Sequence, residues 1–498
     1  MKIVVIGAGI GGMSAAARLA RGGHEVAVYE ASDQVGGKCR TEWIGRVAFD
    51  TGPSLLTLPA VYKDFFQKTG KPMGFVCPID PVSPAFDYRF ADGLSVQFAN
   101  LSRKETLDAI TKSFGKEPSL QWDRIMRRAE AMWDVSRGPF IESELKSPLS
   151  LLKRITFFRD LFVIAPWKSL RKHADEILKD QHLRFIMDRY ATYSGSDPRK
   201  APAVLSTIAF VEESFGAWHV KGGLGNLALQ IHQRATEVGV NFHLGSPVAQ
   251  IKTVTGKVAG IVLASGEDVE ADVVIANADA SLVYNKLVSG NNRLLKNARR
   301  NISKSDVSVA GFSLLLGMRK NPNDGMNHHT VLFPENYDAE FDAIFKDGKP
   351  VERPTIYICS PKDPLMSKDE NLEGWFVLVN APTHGVFDWS NNEFNQKYAS
   401  AIIDQIEGQG ISIRSRLETM TIRTPADLES QTRAPGGAIY GTSSNGPRAA
   451  FLRAKNRSPI KGLYLVGGSA HPGGGLPLVG ISADLVAEAI GFERKLRH

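Results

Sequence analysis

Three glycines and a carboxylate near the start of the chain have the residue types and spacing to grip a dinucleotide. Gly7, Gly9 and Gly12 fall in Gly7-Ala8-Gly9-Ile10-Gly11-Gly12, and Glu30 follows 18 residues after Gly12. In such a unit the first glycine makes a tight turn, the second lets the backbone approach a diphosphate, and the third lets a helix lie close on a strand. An acid about 20 residues further on suits the ribose hydroxyls. A second glycine run, Gly467-Gly468 and then Gly473-Gly474-Gly475, stands near the far end of the chain. Glycines that lead into a helix present unpaired N–H groups and the positive end of the helix dipole, a cradle for negative charge.

The elements that must position these residues follow from the hydrophobic pattern. Residues 2–6 are a continuous apolar run of the kind buried in a parallel sheet, a helix is predicted over 13–21, and 25–30 is a second strand ending in the acid. After a stretch that reads as helical and basic, with strand signals confined to about 86–98, Gly222-Gly223-Leu224-Gly225 opens a helix to about Thr236. Short strands are predicted at 240–244, 248–253, 258–263 and 272–279, and a last strand at 463–466 runs into the C-terminal glycines. Strand candidates at 307–316, 354–360 and 374–380 imply a separate sheet. Because the nucleotide elements are scattered along the chain, the domain they form must be discontinuous.

With 498 residues, 43% of them hydrophobic and 23% charged, the chain is an ordinary globular composition too long for one core. The net charge of +7 is compatible with an anionic membrane or an acidic ligand and selects neither; no nucleic-acid partner is expected. Cys39, Cys77 and Cys359 lack CxxC spacing, which argues against a zinc site or disulfide framework. The adjacent His328 and His329 are expected to point in opposite directions on a strand, so no metal is assigned. The apolar start reads as a strand and not a signal peptide, and no run reaches the roughly 18 apolar residues a spanning helix needs. Residues 149–173 mix Leu, Phe and Trp with Lys and Arg at helical spacing, which suits the surface of an anionic membrane; a core helix with solvated cations fits the same pattern.

Val35-Gly36-Gly37-Lys38-Cys39-Arg40 and Phe49-Asp50-Thr51-Gly52-Pro53-Ser54 resemble further signatures of flavin amine oxidases and carotenoid desaturases. Tyr193 to Asp197, Gly216 to Gly223 and Leu463 to Pro477 are similar to the bacterial phytoene desaturase family, and the match spans the chain. The resemblance implies an α/β fold: a discontinuous Rossmann-like FAD-binding domain (1–70, 200–295 and 434–498), a helical membrane-facing insertion (71–199) and an α+β substrate domain with a sheet (296–433). It implies non-covalent FAD held by Gly7, Gly9, Gly12, Glu30, Gly36, Gly37, Lys38, Arg40, Gly52, Pro53, Ser54, Val248, Asn277, Gly467, Gly468, Pro477, Val479 and Gly480, with Val248 meeting the adenine. His219 and His471 are the titratable candidates for catalysis. The implied activity is desaturation of an acyclic carotene of the phytoene or diapophytoene type, by hydride transfer to flavin. Terminal-methyl oxidation, polyprenyl or retinoid saturation, amine oxidation and a non-catalytic lipid carrier are the alternatives. The expected partners are a long apolar polyene, a membrane surface and oxygen or a quinone, for a cytoplasmic protein bound peripherally to the membrane.

Overall fold

A computed structural model describes residues 1–144, 156–290, 293–446 and 449–491. Lys2–Ile6 is flanked by Glu25–Tyr29 on one side and Val273–Ala276 on the other, and Asn241–His243 and Leu463–Leu465 complete a five-stranded parallel sheet. Ile3, Val4 and Val5 are buried, as a strand covered on both faces requires. The helix Ile10–Arg21 starts three residues earlier than its pattern predicts, because Gly11 and Gly12 take part in it. Its alanines Ala15, Ala16 and Ala17 are fully buried, and its one buried cation, Arg18, is paired with Asp64 (2.9 Å) and Asp484 (3.0 Å).

A seven-stranded sheet forms the second layer, in the order Leu417–Arg423, Ala310–Arg319, Leu372–Ala381, Ile356–Cys359, His329–Leu332, Phe86–Arg89, Ser95–Phe98. Its last two strands correct the division of the chain. Residues 86–98 lie in the segment expected as a helical insertion, yet Phe86–Arg89 pairs in parallel with His329–Leu332, Asp87 opposite Thr330. The sheet therefore draws on both insertions. The helix Thr207–Phe215 corrects a second boundary: Ala209, Phe210 and Val211 pack in one apolar cluster with Trp122, Ile125 and Tyr190, so it joins the helical layer and not the nucleotide domain.

Residues 145–155, part of the segment read as an amphipathic helix, lie outside the described residues. Beyond them a helix runs over Phe157–Ile164 and stops at Ala165, which is in the left-handed conformation. Among the described residues no helix is long and apolar enough to cross a membrane.

Candidate active site

Four adjacent parallel strands of the first sheet all end at one place. Gly7 follows the first, Glu30 the second, Asn277 the third, and Val466-Gly467 the fourth. Ligands of open parallel sheets bind outside the carboxyl ends of the strands, so this convergence marks the site. The Gly7 N–H donates to the Tyr29 carbonyl (2.8 Å) and the Asn277 N–H to that of Ile6 (2.8 Å). The Asn277 amide donates from Nδ2 to the Val466 carbonyl (3.0 Å). The Glu30 carboxylate accepts from the N–H groups of Ala8 (2.7 Å) and Ser32 (2.9 Å), and its remaining lone pairs can take a ligand hydroxyl.

Backbone segments from distant parts of the chain close on this point. Gly36 bridges Gly9, and a Cβ on Gly37 would stand 3.2 Å from the Gly9 Cα. A Cβ on Gly52 would stand 1.7 Å from the Lys38 carbonyl oxygen, so glycine alone lets 36–40 and 50–54 lie together. Asp50 fastens the same loops to the helix Leu224–Glu237, accepting from the Leu224 N–H (3.0 Å) and the Thr41 hydroxyl (2.5 Å). Both helices that begin at the site, Ile10–Arg21 and Leu476–Ile490, have a glycine at the N-cap, no capping side chain and no acid in the first turn. Their first N–H groups and dipole ends are left for a ligand.

These residues line one cavity of about 1250 Å³. Gly7, Gly9, Glu30, Gly36, Gly37, Lys38, Arg40, Gly52, Pro53, Ser54, Val248, Asn277, Gly467, Gly468, Pro477 and Val479 all stand in its wall. Away from the glycines the wall turns apolar, with Trp133, Ile141, Leu161, Ile164, Leu205 and Ile208 supplied by the helical layer.

Four expected site residues stand elsewhere. Gly12 is a packing glycine, where a Cβ would meet the Gly7 carbonyl oxygen at 2.4 Å. Gly480 spaces two helices, with a Cβ landing 2.6 Å from Val61 Cγ1. His219 faces away from the cavity and its Nε2 bonds Asp363 (2.8 Å). His471 is 3% exposed, bonds the Ser143 carbonyl through Nε2 (2.9 Å), and leaves only its neighbour Pro472 in the wall. Neither catalytic candidate therefore stands in the cavity wall. The expected divergence of His328 and His329 is also corrected: only His329 belongs to the strand, and the two rings lie 4.4 Å apart. Cys359 joins them as a third residue of ligand type that the sequence spacing did not bring near, and the ligand atoms of the three all lie within 4.8 Å of one another.

Sequence comparison places this geometry. Residues 10–361 match the family described as Flavin containing amine oxidoreductase. The chain belongs to that family. It is 30% identical over 498 residues to a 1-hydroxycarotenoid 3,4-desaturase of Flavobacterium sp. (strain P99-3), covering 98% of this chain and 99% of that one. It is 28% identical to a 4,4'-diaponeurosporene oxygenase of Staphylococcus aureus (strain USA300), with 98% and 97% covered. A solved oxidoreductase from Methanosarcina mazei shares the fold with a TM-score of 0.65 at 18% identity, over 98% of this chain and 100% of that one.

This flavin oxidoreductase uses FAD, and its residues fit that cofactor. Two uncapped helix ends, the pinched Gly9–Gly37 backbone and the ribose-type acid share one cavity with two cations. The Lys38 ammonium donates to the carbonyls of Ala438 (2.7 Å) and Ile439 (2.8 Å), and Arg40 Nε is buried with no partner among the described residues. The sequence reading missed Arg453, which braces the C-terminal turn by donating to the carbonyls of Gly468 (2.8 Å) and Thr442 (2.8 Å). It also missed Tyr357, whose hydroxyl joins Ser54 (2.8 Å) to His329 Nδ1 (2.7 Å) at the cavity wall. Neither lies in a motif; both are placed by tertiary packing.

Proposed function

We propose that this flavoprotein desaturates an acyclic carotenoid of the phytoene or diapophytoene type. The observation that carries the reading is the single cavity, which at about 1250 Å³ exceeds the ~300–1,000 Å³ of a usual small-molecule site. One end is built for phosphates and the other is walled by apolar side chains, so cofactor and long substrate share one space. The names of the full-length relatives support a carotenoid. Bound FAD supplies the two-electron acceptor. The chain's own contribution is to hold the polyene by shape and hydrophobic contact and to exclude water, since a hydrocarbon offers no polar handle. No histidine is needed in the wall for that task. Reoxidation by oxygen or a quinone, and docking of the protein on the cytoplasmic face of a membrane, belong to the same proposal.

The test is product analysis. Holoprotein mixed with phosphatidylglycerol vesicles carrying an acyclic carotene is expected to give a product two hydrogens lighter, with absorbance shifted to the red. A product that gains oxygen at its end carbon would replace this reading with terminal oxidation. Unchanged carotene under both air and quinone would sink it.

The cofactor half of the proposal places the FAD diphosphate beside Lys38 and Arg40, and this gives a pH prediction. Burial pushes the Lys38 ammonium down to about 8, with Asp279 pulling the other way. Because the folded value lies below the ordinary 10.5, keeping this proton costs stability below about pH 8, and the cost fades as pH rises from 8 to 10.5. A neighbouring diphosphate favours the charged form. FAD affinity is therefore expected to fall as pH climbs past 8, with proton uptake on binding. Flavin titration of apoprotein checks this, and Lys38→Met should bind more weakly at neutral pH with a flattened profile. The same slope in both proteins would remove Lys38 from the diphosphate.

A further inference from the structure

The part of the cavity wall supplied by the helical layer holds a cation that the cofactor site does not use. Arg189, on the helix Gln181–Thr192, is 7% exposed and lines the cavity. Its guanidinium carbon lies over four rings: Phe86 at 4.6 Å, Tyr193 at 5.0 Å, Tyr88 at 5.7 Å and Tyr357 at 5.9 Å from the centroids. These rings come from three distant parts of the chain and together cage the charge. Its hydrogen bonding is meagre. Among the described residues the guanidinium makes one bond, from Nη1 to the Tyr88 hydroxyl at 3.4 Å, although it carries five N–H donors. The carboxylate in its neighbourhood, Glu212, is already engaged, accepting from the hydroxyls of Tyr190 (2.6 Å) and Tyr193 (2.9 Å). No carboxylate lies within ion-pair distance of Arg189 among the described residues.

The unused donors of Arg189 are not sealed in protein but open on the cavity, so a ligand that expels water from there must supply an acceptor or leave a desolvated cation behind. A wall meant only for hydrocarbon gains nothing from one. We infer that Arg189 binds an oxygen atom on the end of the polyene, so that the preferred substrate is an acyclic polyene bearing a terminal hydroxyl or carbonyl. Tyr193 and Tyr357 help by holding the guanidinium from the protein side, which leaves its remaining donors for the ligand. Arg189 is thus a specificity residue. A site that hydrogen-bonds a substrate oxygen rejects the analogue lacking it more strongly than an apolar wall rejects an added methylene. This inference rests on the polyene reading above and changes one part of it: the preferred chain carries an oxygen at its end, where that reading has a plain hydrocarbon.

The experiment uses the full-length holoprotein and two C40 acyclic polyenes of equal conjugation, one with a terminal hydroxyl and one without, in phosphatidylcholine vesicles. Wild type is expected to favour the hydroxylated polyene by about 10- to 100-fold in kcat/KM. Arg189→Met should bring that ratio close to one, and Arg189→Lys should leave it in between. Flavin absorbance and melting temperature show whether each variant is folded; if the methionine variant is not, the lysine variant and the wild-type preference carry the test. Binding of each polyene, read by quenching of protein fluorescence, is measured in parallel. Equal use of both polyenes by wild type, or an undiminished preference in Arg189→Met, overturns the inference and leaves the polyene reading standing. Neither turnover nor binding of either polyene overturns the polyene reading and this inference with it.

Discussion

Gly9→Val is expected to give a folded, colourless protein. Gly9 has a φ of −74°, so valine strains nothing in the backbone. The obstacle is space. A Cβ at this position would stand 2.6 Å from Asn277 Oδ1, and Asn277 cannot give way freely because its Nδ2 donates to the Val466 carbonyl. The added methyls would then fill the approach from the cavity to the first N–H groups of the helix Ile10–Arg21. Overpacking of this kind costs about 1–3 kcal/mol of fold stability with or without cofactor. The affinity loss comes from the blocked N–H groups, and at about 1.5–3 kcal/mol for each hydrogen bond to a charged group, two lost contacts lower FAD affinity by at least about 100-fold. Gly12→Val makes the instructive contrast. There the clash is with the Gly7 backbone at 2.4 Å, which no rotamer relieves, so the chain itself should fail to fold. Gly480→Ala, which crowds Val61 and not the cavity, should melt earlier yet stay yellow. The flavin-to-protein absorbance ratio and a circular-dichroism melt separate the three. A Gly9→Val protein that purifies with full flavin would refute the placement of the diphosphate.

The contrast among these glycines shows how far the sequence could be read. Strand, turn, helix, strand and acid lie within the first thirty residues, so each local preference and the tertiary answer agree. The remote pieces were legible wherever a glycine turn entered a helix. Pairing of Phe86–Arg89 with His329–Leu332 was not, because the two strands are about 240 residues apart and nothing local records their register. Side-chain direction was the other gap. His471 sits within a glycine-rich turn that lines the cavity, yet its own N–H and ring are used by Ala454 and Ser143, which turns it away. Arg189 failed in the opposite sense. On an amphipathic helix an arginine reads as a solvated residue, and its burial depends on rings at 86, 88, 193 and 357 that only the folded chain assembles.

The triple variant Phe158→Ser, Phe162→Ser, Trp167→Ser is expected to lose its affinity for lipid vesicles while keeping FAD. The three side chains are 72%, 67% and 56% exposed, on and just after the helix Phe157–Ile164. Complete burial of such a side chain stabilises by about 1.5–3 kcal/mol, and insertion to interfacial depth recovers part of that for each. Together they supply about 3–5 kcal/mol, so partitioning into vesicles should drop by roughly 100- to 4,000-fold. Charge contributes less than the basic composition of this segment suggests. Arg171 is held by Asp188 (2.7 Å) and Asp338 (2.7 Å), and Lys168 by Glu176 (2.6 Å), which leaves Lys172, and Arg159 beside Asp160 (3.4 Å), as the outward cations of this segment among the described residues. At about 1 kcal/mol per cation near an anionic surface, raising the salt should weaken wild-type binding only modestly. The position of the helix gives the contact a purpose, because Leu161 and Ile164 on the same short helix stand in the cavity wall. A polyene leaving the bilayer at this point would enter the cavity past one helix without crossing water. Vesicle co-sedimentation decides the matter: undiminished binding by the triple variant, or wild-type binding abolished by salt alone, would rule out this face as the docking surface.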